Sequence, residues 1–257
     1  MNQRHWRHKI TENSEKLVLV TGGSRGIGQT IVQSFLSSGY KVAFTYLKNK
    51  ELAVNISEQF GQASCVFELD QANPLSIKKC ITDVTDHFRC NVDILINNAA
   101  ISQEKHFAEI TADEFTLMLN TNLRGPFLLA QECIPSMCEK SFGKIINIGS
   151  IGGQWGGINQ IHYAAAKAGL ISLAQSITKV YSPMGVYANT ISIGLVKTDM
   201  SKAELKTDAG IEKVKAIPLG RLGTPEEIAN IALFLASTQS NYLAGQTLSA
   251  NGGMYYG

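Results

Sequence analysis

A doubly wound α/β fold, with helices on both faces of a seven-stranded parallel sheet, is what this sequence predicts, and three observations predict it. Short apolar runs alternate with longer amphipathic stretches without an internal linker, the pattern of repeated strand–helix–strand units. The first run, Leu17-Val18-Leu19-Val20, is apolar throughout, partly branched and bounded by glycine, as a strand buried on both faces requires. Gly22, Asp70, Asn97, Ser150 and Ile193 all stand at or just beyond expected strand ends. Ligands of such sheets bind at that carboxyl edge, near the switch in strand order.

The elements follow in sequence. The strand at 17–21 leads through a glycine turn into a helix at 26–38, where Ile27, Ile31, Phe35 and Leu36 share a face and Gly39 is the stop signal. Further strands are expected near 41–46, 64–69, 92–97, 143–149, 186–193 and 246–250. Helices are expected near 50–60, 74–88, 112–139, 162–181 and 225–236. The last of these opens on Thr224-Pro225-Glu226-Glu227, a capping box with proline at the first helical position, which is a structural signal. The stretch 198–217 mixes helical pieces with small and charged residues, and reads equally as a cover over a site or as a surface connection.

The 257 residues suit one large domain, 16–257, preceded by a polar extension, 1–15, that is expected to fray. With 44% hydrophobic and 17% charged residues the chain can bury a sizeable core, and a net charge of +2 advertises neither a nucleic-acid nor a membrane partner. No apolar run approaches the roughly 20 residues of a membrane span, and the N-terminus lacks a signal-peptide apolar region. A cytoplasmic protein is the expectation. Cys65, Cys80, Cys90, Cys133 and Cys138 have no metal-ligand spacing and leave one thiol over in any disulfide scheme, so reduced thiols and no metal are expected.

Two motifs carry chemistry. Thr21-Gly22-Gly23-Ser24-Arg25-Gly26-Ile27-Gly28 lies between a strand and a helix start, where backbone N–H groups and the positive helix end suit a pyrophosphate. Past the second strand, Phe44-Thr45-Tyr46-Leu47-Lys48-Asn49-Lys50 holds no acid to select a ribose hydroxyl, while Arg25 and Lys48 are placed to pair with a phosphate. NADP(H) is therefore expected over NAD. The second motif is Ser150 with Tyr163-Ala164-Ala165-Ala166-Lys167. Residues four apart share a helix face, so the phenol and the ammonium can converge. A fixed cation favours the phenolate, so an acidified tyrosine is expected, suited to general acid–base work.

With Asn97-Asn98-Ala99-Ala100, Asn122-Leu123 and Asn251-Gly252-Gly253, these motifs stand in the order and at the distances of the short-chain dehydrogenase/reductase family, which the chain resembles from Lys16 to its C-terminus. Gly22–Gly28 and Ile217-Pro218-Leu219-Gly220-Arg221-Leu222-Gly223-Thr224-Pro225 are most similar to 3-oxoacyl-acyl-carrier-protein reductases. The resemblance implies a Rossmann fold and a catalytic set of Asn122, Ser150, Tyr163 and Lys167. Tyr163 gives a proton to the carbonyl oxygen, Ser150 bonds the same oxygen, Lys167 binds the nicotinamide ribose and Asn122 holds a relay water. It implies cofactor contacts from Gly22, Ser24, Arg25, Gly26, Ile27, Gly28, Lys48, Asp70, Gln71, Asn97, Ala99, Val196 and Thr198, besides Tyr163 and Lys167. Asn98 is expected to tie adjacent strands together. The substrate implied is a 3-oxoacyl thioester, on an acyl carrier protein or coenzyme A, with a small free ketone as the alternative. A catalytically idle NADP-binding regulator is the alternative of another class, and a homotetramer built on the 112–139 and 162–181 helices is the implied assembly.

The chain departs from the family pattern at Ala100, Ile193 and Asn251, where glycine, proline and aspartate are usual. It also departs at Ser141 and Met184, where carrier-dependent reductases have basic residues; Lys140 is the nearest substitute. Trp155, Ile158 and Ile161 are candidates for an apolar pocket, or equally for packing or dimer contacts.

Overall fold

The structure, a computed structural model, describes residues 13, 15–198 and 208–257. The strands β1 (Leu17–Val20), β2 (Lys41–Tyr46), β3 (Ser64–Glu68), β4 (Ile94–Asn97), β5 (Gly143–Ile148), β6 (Val186–Ile193) and β7 (Thr247–Ala250) form one parallel sheet in the order 3-2-1-4-5-6-7. Val18 lies opposite Val42 on one side and Ile94 on the other, so β1 is the strand from which the order runs both ways. That reversal opens a crevice at the carboxyl ends of β1 and β4.

Around the sheet, among the described residues, run α1 (Gly26–Ser37), α2 (Lys50–Glu58), α3 (Pro74–Phe88), α4 (Ala112–Leu119), α5 (Gly125–Glu139), α6 (Gly152–Trp155), α7 (Ile161–Tyr181), α8 (Asp208–Lys215) and α9 (Pro225–Ala236). The two-residue period of the strands divides the core between the faces. Val18, Val20, Phe44 and Ile146 pack with Ile31 and Phe35 of α1 and with Ile228 and Leu235 of α9. Leu17, Leu19, Leu95 and Ile145 pack on the other face with Ile77 of α3, Leu129 and Met137 of α5 and Ala174 of α7. Phe35 is fully buried, and truncating such a side chain to alanine typically costs about 3–5 kcal/mol. The capping box at α9 forms as expected, with the Glu227 N–H on Thr224 Oγ1 and the Thr224 N–H on Glu227 Oε2.

The expected strands and helices are present to within a residue or two, with one exception. The segment 112–139 is two helices joined by a π-helical turn, Asn120–Arg124. An unbroken α ladder would send the N–H of residue 126 to the Asn122 carbonyl; residue 126 is proline and has none. The ladder widens where that bond is missing.

The extension at 1–15, expected to fray, falls outside the described residues except for Asn13 and Glu15. Asn13 Nδ2 donates to the Ser38 carbonyl. Of the 198–217 stretch, residues 199–207 also lie outside the described residues; beyond them stand α8 and the buried Ile217. All five cysteines are free thiols.

Candidate active site

The glycine turn is assembled by hydrogen bonds from strand ends. Thr21 Oγ1 accepts from the N–H groups of Asn98 and Ala99, and Asn98 Nδ2 donates to the carbonyls of Thr21 and Gly22, so Asn98 ties β4 to β1 as expected. Thr45 fixes the other side, its Oγ1 accepting from the Gly22 N–H. Gly22 (φ +68°) and Gly26 (φ +54°) take the left-handed conformation that a side chain would strain. A Cβ on Gly26 would meet Thr198 Cγ2 at 3.7 Å, an ordinary contact, so it is the positive φ rather than crowding that calls for glycine there.

Arg25 caps α1 in extended conformation without a side-chain cap bond, and no acidic side chain stands in the first turn. The helix thus presents its first N–H groups without an internal anion. This donor set, on a turn whose left-handed glycines bring its backbone to the helix start, fits a pyrophosphate. Ser24 and Gly28 are buried and Ile27 packs its side chain on the core. Arg25 and Lys48 are exposed at the rim.

Not every expected cofactor contact has a side chain to give. Asn97 is buried, with Nδ2 on Asn147 Oδ1, and so braces β4 against β5. Gln71 is buried too, with Nε2 donating to the carbonyls of Ala99 (2.8 Å) and Thr121 (2.7 Å). Asp70 Oδ1 accepts from the Ala72 N–H in a tight local turn and is half-buried at the end of β3. Val196 is buried and pairs its segment with Gly223, just ahead of α9.

Ser150, Tyr163 and Lys167 converge beyond the end of β5. Tyr163 and Ser150 share a side-chain hydrogen bond, and Ser150 Oγ also accepts from the Gly152 N–H at 3.1 Å. Lys167 is buried, with Nζ 2.7 Å from the Ile148 carbonyl and 5.6 Å from the centre of the Tyr163 ring. The short helix α6 presses on α7 at this point: a Cβ on Gly153 would stand 2.7 Å from the Lys167 carbonyl carbon. Glycine there lets the serine segment approach the lysine.

The electrostatics correct one expectation. Burial pushes the Tyr163 phenol up, and the bond from Ser150 offsets this only in part, so the tyrosine is held protonated rather than acidified. Burial brings the Lys167 ammonium down to about 8. Among the described residues no carboxylate accepts from its Nζ, which bonds the neutral Ile148 carbonyl.

Asn122 is the buried centre of the π turn. Its Oδ1 accepts from the Ile101 N–H at 3.0 Å, and its Nδ2 donates to the Ile101 carbonyl at 2.8 Å and to Met118 Sδ. The side chain is thus committed to holding the loop after β4. Lys140, the nearest substitute for the missing basic residue at 141, has its ammonium 2.6 Å from Asp93.

Several partners escaped the sequence reading. Thr21 and Thr45 brace the glycine turn, Asn147 braces Asn97, and Gln103 reaches His162 beside the tyrosine. The signal for the first three was a polar residue near the carboxyl end of an otherwise apolar strand. Nothing local marked the fourth.

A family model described as enoyl-(acyl carrier protein) reductase matches residues 22–255. The 3-oxoacyl-[acyl-carrier-protein] reductase FabG of Salmonella typhimurium is 38% identical over 240 residues, covering 93% of this chain and 97% of that protein. The acetoacetyl-CoA reductase of Shinella zoogloeoides is 36% identical over 243 residues, covering 94% and 99%. Among solved structures, a blue fluorescent protein from a metagenomic library in complex with NADPH superposes with a TM-score of 0.88 at 30% identity, covering 94% of this chain and 98% of that one.

Proposed function

Because the chain belongs to the short-chain dehydrogenase/reductase family, we propose that it reduces a ketone to a secondary alcohol with NADPH, and that the ketone is the 3-oxo group of an acyl thioester. The observation that carries this reading is the convergence of Ser150, Tyr163 and Lys167 beyond β5, across the crevice from an uncapped glycine turn. Relatives described as reductases of 3-oxoacyl carrier-protein and acetoacetyl-CoA substrates favour a thioester over a free ketone. An idle regulator would have no need of the complete proton-delivery set.

A bound nicotinamide cofactor supplies the hydride to the carbonyl carbon. The chain supplies the rest. Negative charge gathers on the carbonyl oxygen, where Ser150 Oγ donates a hydrogen bond and Tyr163 gives up its proton. A phenol held protonated by burial is in the correct state to donate. The Lys167 ammonium, fixed by the Ile148 carbonyl, stabilises the phenolate and binds the nicotinamide ribose. Since the Asn122 side chain is committed to Ile101, its role in the relay falls to the main-chain carbonyl that Pro126 cannot satisfy, which holds the water that reprotonates the site. Arg25 and Lys48, with no acid between Phe44 and Lys50, favour the 2′-phosphate of NADPH over the hydroxyl of NADH. Exposed Phe115, Leu117, Phe127 and Val180 on α4, α5 and α7 supply apolar surface for a homotetramer.

The test is NADPH consumption with 3-oxoacyl thioesters of rising length on coenzyme A and on carrier protein, beside free ketones and aldehydes. Turnover of the thioesters is expected, abolished in Tyr163→Phe with NADPH binding retained. Tight NADPH binding without turnover of any substrate would return the protein to the idle reading.

A further inference from the structure

A chain of polar contacts runs to the catalytic helix one residue ahead of Tyr163, and the reaction scheme leaves it unused. It starts at Glu114 of α4. That carboxylate accepts from the Thr111 N–H, from Lys105 Nζ at 2.8 Å and from Gln103 Nε2 at 2.8 Å. Its pKa is brought down to about 2, first by the Lys105 bond, so it stays ionised and can only accept. This fixes the Gln103 amide: its nitrogen faces Glu114 and its oxygen faces His162 Nε2, 3.0 Å away. The hydrogen on Nε2 is therefore set by a carboxylate two hydrogen bonds away. His162 is fully buried, and among the described residues its Nδ1 has no hydrogen-bond partner, so the polar hold on the ring within them is the bond to Gln103.

The segment carrying Gln103 is anchored at three other points. Ile101 is bonded both ways to Asn122, the Lys105 N–H donates to the Asn159 carbonyl at 2.7 Å, and Glu104 lies 3.4 Å from Gln160 Nε2 and 3.9 Å from Lys213 of α8. The segment 101–105 thus spans from the π turn to the start of α7. It joins Asn122 to Tyr163 through Ile101, Gln103 and His162.

We infer that His162 and Gln103 are positioning residues for proton delivery: their hydrogen bond clamps the 101–105 segment to the catalytic helix, so that the Asn122 relay and the Tyr163 hydroxyl keep one fixed separation. This rests on the proposed reductase reading. Neither side chain touches the reacting atoms. Loss of the bond leaves NADPH binding at the glycine turn intact and misplaces the proton path, where displacement of the order of 1 Å can cost about a hundredfold.

The experiment compares His162→Phe, Gln103→Leu, the double variant and His162→Gln, whose amide nitrogen can take the place of Nε2. His162→Phe and Gln103→Leu should each lower kcat about tenfold at unchanged KM for NADPH and enlarge the solvent isotope effect on kcat. The double variant should be no slower than either single, because one bond is lost in all three. His162→Gln should recover kcat to within about twofold. A purely structural role would lower the melting temperature and leave kcat and the isotope effect unchanged below it; that result, or additive losses in the double variant, overturns the inference. Nitrogen-15 NMR of the imidazole, read without substrate, should show the Nε2–H tautomer in the native chain, and a hydrogen on Nδ1 alone would overturn it whatever the activity. Tyr163→Phe, run alongside, separates the two readings. If it stays active, the reductase mechanism fails; if it is dead while His162→Phe behaves as the native chain, only the clamp fails.

Discussion

Two buried lysines stand near opposite ends of β5, and the contrast between them shows what makes one of them a site. Lys144 lies near the start of the strand, with Nζ on Asn241 Oδ1 at 2.8 Å and 4.7 Å from the centre of the Tyr187 ring. Lys167 lies beyond its end, with Nζ on the Ile148 carbonyl and 5.6 Å from the Tyr163 ring. Both are almost wholly buried, both are brought down to about 8 by desolvation, and among the described residues neither bonds a carboxylate. A buried lysine with a depressed pKa is therefore not enough to mark a site. The difference is where the neighbours lead: Tyr163 and Ser150 are half-buried at the carboxyl edge, where the crevice lies, whereas Lys144 sits at the opposite edge of the sheet.

The sharpest way to break the comparison is to remove each ammonium. Lys167→Met should lower turnover by about 10²–10⁴-fold, the range expected when an acid–base partner is lost. Lys144→Met should keep turnover within about twofold, since surface and structural sites far from the reacting atoms act on stability. Comparable losses in both variants would mean that the sheet, and not the position beside Tyr163, sets the effect.

The next largest effect is on pH dependence. Reduction needs Tyr163 protonated and Lys167 charged. Burial holds the phenol protonated to well above neutrality, whereas the ammonium loses its proton as the pH rises through about 8. In the reducing direction kcat should therefore be flat below that value and fall above it, by up to about tenfold per pH unit for a single deprotonation. Lys144→Met should leave this profile where it is, and a rate that rises above pH 8 would refute the assignment.

A third lysine extends the comparison to the surface. Lys48 is exposed beyond β2 and Arg25 is exposed at the glycine turn, so neither is desolvated and both are available to an incoming phosphate. Lys48→Ala and Arg25→Ala should each raise KM for NADPH several-fold, about 1 kcal/mol of screened charge–phosphate attraction, and leave KM for NADH unchanged. Equal effects on both cofactors would remove the basis for the NADPH preference.

How much of this was legible in the sequence differs between fold and site. The strands and helices were, because a parallel sheet buried on both faces writes itself as apolar runs, and the turns between them as glycine. The convergence of Tyr163 and Lys167 was legible for the same local reason, a spacing of four on one helix face. The break inside 112–139 was not read, although Pro126 carried the signal, because apolar residues on both sides keep the helical period. Ser150's bond to Tyr163, the burial that reverses the expected shift of the phenol, and the Gln103–His162 contact depend on segments far apart in the chain. Desolvation has no local sequence signature: the same Lys-to-Tyr spacing on a solvated helix would have left the cation free to acidify the phenol.

The smallest expected effect isolates the structural lysine. Lys144 has an ordinary value of 10.5 and a folded value of about 8, so between the two the unfolded chain holds more protons than the folded one. Stability must then rise with pH through that window, by about 1 kcal/mol between pH 7 and 8.5 for one such group. Lys167 adds a similar increment, and the buried thiols of Cys80 and Cys133, pushed up to about 12, begin to oppose both as the unfolded thiols ionise near 9. Both of those contributions are common to the native chain and to Lys144→Met. The difference between the two urea midpoints, measured at pH 7 and again at 8.5, therefore reports Lys144 alone. Lys144→Met should gain most at pH 7, where the native chain buries a full charge whose acceptor is a neutral amide, and its advantage should shrink by about 1 kcal/mol at pH 8.5. An advantage that does not change with pH would place the lysine's ionisation outside the window and leave packing against Tyr187 as the source of any difference.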